Sequence, residues 1–304
     1  MKHDSAGDPM GGLRWTHRTT EKISQELRSL KIKVSPRTVS RLLRKMGFSL
    51  RVNHKKICRV TPAERDAQFS LIADLREHHA AQGSPVISVD TKKKEMVGTF
   101  KNAGAAWSRE PVPVNDHDFL SDAVGKAIPY GIYDIQANRG ILFVGTSYDT
   151  PAFAVNCITR WWRIEGQGRY PDADEVLILA DGGGSNGYRS RAWKWNLQHE
   201  LCDRQGLTVT VAHYPPGASK WNPIEHRLFS EISKNWAACP LDSYDTILRH
   251  ARTTRTRAGL RVRAQLVRRN FPTGVKISDA EMKALALAPN ETLPAWNYTL
   301  TPRN

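Results

Sequence analysis

Apolar positions between residues 20 and 46 recur at helical spacing in two short blocks. Ile23, Leu27 and Leu30 lie behind Thr19 or Thr20, either of which can cap a helix. A four-residue link, 31–34, leads to Ser35-Pro36, an N-cap followed by a good first helical residue. Val39, Leu42, Leu43 and Met46 then make one apolar face, and Gly47 is placed to end the helix. The pattern predicts a helix-turn-helix. After a basic linker, 51–59, Thr61-Pro62-Ala63-Glu64 reads as a capping box. Its helix is expected to reach about residue 81 with Phe69, Ile72 and Leu75 inward.

From residue 85 the period changes to that of strands. An apolar run ends at Asp90 and another, 176–180, ends at Asp181. Short strands are expected at 130–135 and 141–146, joined through Asn138-Arg139-Gly140 as a hairpin turn. Pro151 opens a helix through Trp162. A second helix spans 188–204, a strand 207–213, and a helix beginning near Asn222-Pro223 carries Glu225. Residues 93–129 read as irregular. The order predicts three antiparallel strands followed by parallel crossover units, a mixed α/β sheet. The expected division is 1–60, 61–84, 85–240 and a basic extension, 241–304, with a helix around 279–287.

Charge narrows the function. The chain carries +15, and residues 1–60 hold +11 of it. A second run, Arg249 to Arg269, contains eight arginines and no acid. Two separated basic clusters point to nucleic acid. Arg37, Thr38, Arg41, Arg44 and Lys45 lie on the outer faces of the second helix, as major-groove docking needs. Lys92, Lys93, Lys220, Arg255, Arg257 and Arg261 are further candidate phosphate contacts. No apolar run approaches the roughly 18 residues of a membrane span. The polar opening residues predict no secretory signal, and the expected location is cytoplasmic. Four cysteines without a CxxC spacing predict buried thiols, not a zinc site.

Two acids at the ends of buried strands and one on a later helix suit a two-metal site acting on a phosphodiester. Glu231 and Glu200 are rivals to Glu225 as third ligand. Gly182, Gly184 and Gly187 satisfy a dinucleotide-binding pattern. Asp181 beside a pyrophosphate argues against it, and no acid ends the next strand to hold a ribose. The glycines suit close approach of a DNA backbone to Asp181. No nucleotide cofactor is expected.

Three strings carry a resemblance: Ser88-Val89-Asp90-Thr91-Lys92-Lys93-Lys94-Glu95, Ala180-Asp181-Gly182-Gly183-Gly184-Ser185-Asn186-Gly187, and Ser219-Lys220-Trp221-Asn222-Pro223-Ile224-Glu225-His226. They are similar to the Rhodopirellula-type transposases of bacterial insertion sequences. The last also resembles the Asn-Pro-x-Glu of mariner-like transposases. Ala127-Ile128-Pro129-Tyr130-Gly131 and Phe271-Pro272-Thr273-Gly274 extend the match over nearly the whole chain. The resemblance implies a ribonuclease-H-like core with Asp90, Asp181 and Glu225 as its Asp-Asp-Glu triad, binding two Mg²⁺ or Mn²⁺. It implies a DNA transposase that cuts transposon ends and transfers a 3′-hydroxyl into target DNA, as a homodimer in the DNA complex. A bacterial, nucleoid-associated location follows. The alternatives are a nuclease of the same fold and an inactive DNA-binding derivative. Family members usually carry more helical sequence upstream, so part of the end-recognition module is expected to be missing.

Overall fold

The structure, a computed structural model, describes residues 5–7, 14–16, 19–50, 61–117, 119–218 and 221–303. The chain divides into two compact units, Met1–Ile57 and Cys58–Asn304. In the first, strands β1 (Ser5–Gly7) and β2 (Arg14–Thr16) pair antiparallel. Helices α1 (Thr20–Ser29) and α2 (Pro36–Lys45) follow. Thr19 and Ser35 cap them, accepting from Lys22 N–H at 3.3 Å and Thr38 N–H at 3.2 Å. Each hydroxyl satisfies a donor that the first turn leaves open. Gly47, at φ +82°, ends α2. Its N–H bonds the Arg44 carbonyl and that of Phe48 bonds Leu43, the Schellman pairing. Ile23 and Val39 are buried and Leu43 is half-buried, but Leu42 and Met46 are exposed. The apolar face of α2 is therefore narrower than its spacing predicts. Only the line through Val39 and Leu43, four residues apart, turns inward.

The second unit begins with helix α3 (Pro62–Ala81), whose capping box forms as expected: Thr61 Oγ1 accepts from Glu64 N–H at 3.2 Å and Glu64 accepts from Thr61 N–H at 2.9 Å. The central strands are β3 (Val86–Thr91), β5 (Gly125–Asp134), β6 (Arg139–Gly145), β7 (Glu175–Ala180) and β8 (Thr208–His213). β5 runs antiparallel to β3 and β6, while β7 and β8 run parallel to β3. This is the ribonuclease-H-like mixed sheet expected from the sequence. β5 reaches back into the stretch read as irregular, and short β4 (Glu95–Val97) pairs with it. The hairpin turn is 135–138, with Asn138 at φ +50°, so Arg139 and Gly140 belong to β6 and not to the turn.

Three further strands widen the sheet. β9 (Arg261–Val267) joins β6 in parallel at one edge. β10 (Leu287–Pro289) and β11 (Asn297–Leu300) add to β8 at the other. The region read as a helix over 279–287 holds a shorter helix, α9 (Asp279–Lys283), and then β10.

Alternation sorts the strand residues onto two faces. One face, with Ile87, Val89, Ile141 and Ile178, packs under α4 (Pro151–Trp161) and α6 (Arg191–Leu197). A π-helical turn, Trp162–Gly166, and α5 (Gln167–Arg169) continue from α4. The other face carries α3 over Val86, Leu177 and Leu179. Beside α3 that face carries the π-helical turn Glu225–Phe229, α7 (Ser230–Asn235) and α8 (Tyr244–Thr253), over Leu142, Val144 and Val262. Among the described residues no helix is long and apolar enough to cross a membrane.

Candidate active site

Asp90 sits one residue before the end of β3, and Asp181 directly follows β7, its parallel neighbour. Both lie on the face covered by α3 and the Glu225 segment. A strand serine positions that segment. Ser88, two residues before Asp90 on the same face, is fully buried. Its Oγ donates to Asn222 Oδ1 at 2.5 Å and accepts from Ile224 N–H at 3.3 Å. Asn222, at the expected start of this helix, does not cap it with its side chain: its oxygen is engaged by Ser88, and Ser88 receives the backbone donor. Two glycines let the segment lie close to the sheet. A Cβ on Gly131, the register partner of Asp90, would collide with Phe229 Cε1, and one on Gly140 with Leu228 Cδ1. Glu225 is thereby brought down beside β3.

The carboxylates act on one another electrostatically. Burial, and then the charge of Asp181, push Asp90 up to about 8; Glu225 and Asp149 add to this, while Thr91 N–H, donating at 2.7 Å, opposes it. Asp181 is also raised, by burial first and by Asp149, against a bond from Gly183 N–H at 3.2 Å. Glu225 is raised by burial and by Asp181, against the nearby positive charges of His226 and Lys92. Among the described residues no three His, Cys, Asp or Glu side chains are gathered tightly enough to close around a single ion. The donor set is nevertheless all oxygen, mutually repulsive and partly buried, which fits hard divalent cations. The rivals stand differently. Glu231 pairs with Lys234 at 2.6 Å and Glu200 with Arg204 at 2.6 Å.

A cleft of about 560 Å³ opens over Asp90 and Asp181, floored by Thr91, Gly183 and Ser185. Glu225 does not line it, but a further acid that the sequence did not single out, Asp149, does. Asp149 accepts from Thr91 Oγ1 at 3.0 Å and pairs with Lys94 at 3.3 Å. The signal was an acid just before the capped helix at Thr150-Pro151, a context indistinguishable from a helix-dipole partner. The glycine loop opens no helix at its third glycine, because α6 starts at Arg191 behind an N-cap at Ser190. Gly183 and Gly184 line the cleft instead.

His213, fully buried at the end of β8, holds the loop from behind. Its Nδ1 donates to the Asp181 carbonyl at 2.8 Å, so Nε2 is left as a buried acceptor with no partner. Burial pushes this imidazole down to about 4, so it is neutral at neutral pH. Asn222 Nδ2 is likewise buried without an acceptor, in a second cavity bordered by Asp181, Gly182 and Tyr214.

The candidate DNA contacts fall in several places. Arg37, Arg41, Arg44 and Lys45 are exposed on α2. Thr38 is half-buried, its Oγ1 bonded to Ser35 at 3.0 Å. Lys92 is turned inward: it pairs with Glu95 at 2.8 Å and lies over Trp236 at 4.5 Å. Lys93 is exposed at the cleft. Arg255, Arg257 and Arg261 are exposed away from it. Lys220 and the basic stretch 51–59 lie outside the described residues.

Comparison with known proteins matches the family model described as the Rhodopirellula transposase DDE domain over residues 1–302. A search of curated proteins gave no match. Among solved structures the chain is similar to a Mos1 transposase paired-end complex with left transposon end, at 16% identity and TM-score 0.45, over 76% of this chain and 65% of that one. It is also similar to a Mos1 strand transfer complex, at 15% and 0.44, over 80% and 72%. The catalytic domain of Mos1 mariner transposase follows at 14% and 0.43, over 66% and 82%. The chain thus spans 65% of the length of the first of these. With the family model matched almost end to end, the chain belongs to the Rhodopirellula transposase DDE domain family.

Proposed function

We propose that this protein is a DDE-type transposase, a polynucleotidyl transferase that cuts DNA at transposon ends and joins the freed 3′-hydroxyl to target DNA. What supports this reading is that Asp90 and Asp181 stand at the ends of adjacent parallel strands over one cleft, with Glu225 near enough to repel Asp90 and to be repelled by Asp181. Carboxylates that repel one another in a partly buried site are stabilised by hard cations, and oxygen-only donors favour Mg²⁺ or Mn²⁺ over softer metals. Asp90, Asp181 and Glu225 would hold two such ions. When bound, the ions supply Lewis-acid charge for the attacking and leaving oxygens of a phosphodiester.

The remaining work belongs to the chain itself. Gly183 and Gly184 keep side chains out of the cleft, so a sugar-phosphate backbone can approach Asp181. Lys93 offers positive charge at the mouth. Arg37, Thr38, Arg41, Arg44 and Lys45 read the transposon end from α2, by phosphate and major-groove contacts. Joining two ends calls for a dimer on DNA, working where the bacterial nucleoid is found.

A strand-transfer assay tests the reading. Full-length protein is given a pre-cleaved transposon end, a target plasmid and Mn²⁺. Joined product that is absent with Asp181→Ala is expected. Cutting without joining would identify a nuclease, and binding without either would identify a DNA-binding derivative.

A further inference from the structure

On the sheet face opposite the three carboxylates, the strand register gathers arginines. Arg139 opens β6 and Arg261 opens β9, and the two are register partners in adjacent parallel strands. Arg139 has the parity of Ile141 and Phe143, so both arginines belong to the α4 side of the sheet, not the Glu225 side. Arg169, from α5, and Arg255 close round them, and Arg263 and, across the β9 edge from α8, Arg252 complete a cavity of about 320 Å³. The acid in its wall is the buried Glu165, which already accepts from Arg169 at 3.3 Å and pairs with Arg263 at 3.4 Å. Arg169 also serves Asp134, at 3.1 Å. Arg139, Arg255 and Arg261 have no ion pair among the described residues.

Like charges side by side in a ladder destabilise a sheet. Charged residues on an edge strand such as β9 block edge-to-edge pairing, and this accounts for exposed arginines facing solvent. It does not account for Arg139, on an interior strand, set beside Arg261 at the mouth of a cavity. The shape of the surplus also matters. Exposed arginines continue along the edge from Arg255 and Arg257 through Arg261 and Arg263 to Arg268. A strip the length of β9, roughly 20 Å, suits a polyanion better than one small anion.

We infer that this pocket and strip bind the phosphodiester backbone of a second DNA segment, separate from the one at the carboxylates. The register fixes the separation. Asp90 is level with Gly131, Leu142 and Ala264 across the sheet. Arg261 therefore lies three strands over, about 14 Å, and three residues down, about 10 Å, and on the other face. The offset and the change of face set it apart from the Asp90–Asp181 cleft, with which it shares no lining residue. The inference extends the proposed DNA chemistry but does not depend on cleavage.

The test is binding of a labelled duplex to full-length protein in EDTA across a salt series. Arg255→Gln/Arg261→Gln is compared with unmutated protein and with Arg255→Lys/Arg261→Lys. The glutamine pair is expected to reduce the slope of log affinity against log salt by about 1.8, two phosphate contacts' worth, and the lysine pair to restore most of it. Unchanged slopes, or loss of binding to polyglutamate with DNA binding intact, would overturn the inference. A photo-crosslinker at position 257 supplies the second reading. With the end duplex and a second duplex labelled separately, crosslinks are expected on the second duplex. Crosslinks confined to the end duplex would overturn the separate-segment assignment. Because binding is read without metal, a failed cleavage assay leaves this result standing.

Discussion

Ser88 Oγ and Asn222 Oδ1 meet at 2.5 Å in the interior, and this bond ties the strand of Asp90 to the start of the segment that carries Glu225. The same hydroxyl takes the Ile224 N–H. Removing it strands a buried oxygen and a buried backbone donor together. Ser88→Ala is expected to cost about 1–3 kcal/mol in urea melts. Metal-dependent cutting should fall further than this loss explains when assayed well below the melting temperature, because Glu225 loses its register with Asp90. A variant as active as the unmutated protein would show that the bond does not position the acid.

Gly131 tests the same placement from the other side. Its missing side chain is where Phe229 lies. Gly131→Ala should overpack the site and cost about 1–3 kcal/mol. Gly131→Ala/Phe229→Leu should recover part of it, giving a coupling of at least about 0.5 kcal/mol in a double-mutant cycle. Additive losses would mean that the two residues do not share the space.

Metal-free stability should fall as pH rises. Folded Asp90 keeps its proton to about pH 8, while a carboxyl at its ordinary value of 3.8 releases it far earlier. Between these values the folded state holds more protons, so stability present below about pH 4 is lost as pH rises through about 8. His213 acts in the opposite sense. Its value falls from 6.5 to about 4, so its contribution grows over that window and is complete above it. Melts in EDTA above about pH 6.5 therefore exclude the His213 contribution, and comparison with Asp90→Asn separates Asp90 from the other raised carboxyls, Asp181 and Glu225. The melting temperature should decline there in the unmutated protein and stay flatter in Asp90→Asn. Mn²⁺ should raise it most at the alkaline end. Parallel pH profiles for the two proteins would contradict the assignment.

The sequence made the centre of the sheet legible and hid its edges. β3, β7 and β8 are buried runs that end in recognisable residues, and local pattern suffices for them. β9 also alternates, Arg261-Val262-Arg263-Ala264, but its charges dominate the reading and its partner, β6, is about 120 residues earlier. β11 is four residues long and pairs with β8 across nearly 90 residues, with no local signal. Asp90, Asp181 and Glu225 stand out in the sequence because their neighbouring residues form specific strings. Gly131 and Gly140 were not assigned their roles. A glycine in a strand reads locally as a bend or turn, and the need for one here arises only when Phe229 and Leu228 arrive from the helix.

Cleavage of a labelled duplex carrying the element's own end is the most direct test of the carboxylate site. Full-length protein is assayed with Mn²⁺ and with EDTA, beside Asp90→Asn, Asp181→Asn and Glu225→Gln, with DNA binding measured in parallel. Metal-dependent cutting that each substitution abolishes, with DNA binding retained, is the predicted result. Equal cutting by the unmutated protein and Asp181→Asn, after contaminating nucleases are removed, would contradict it.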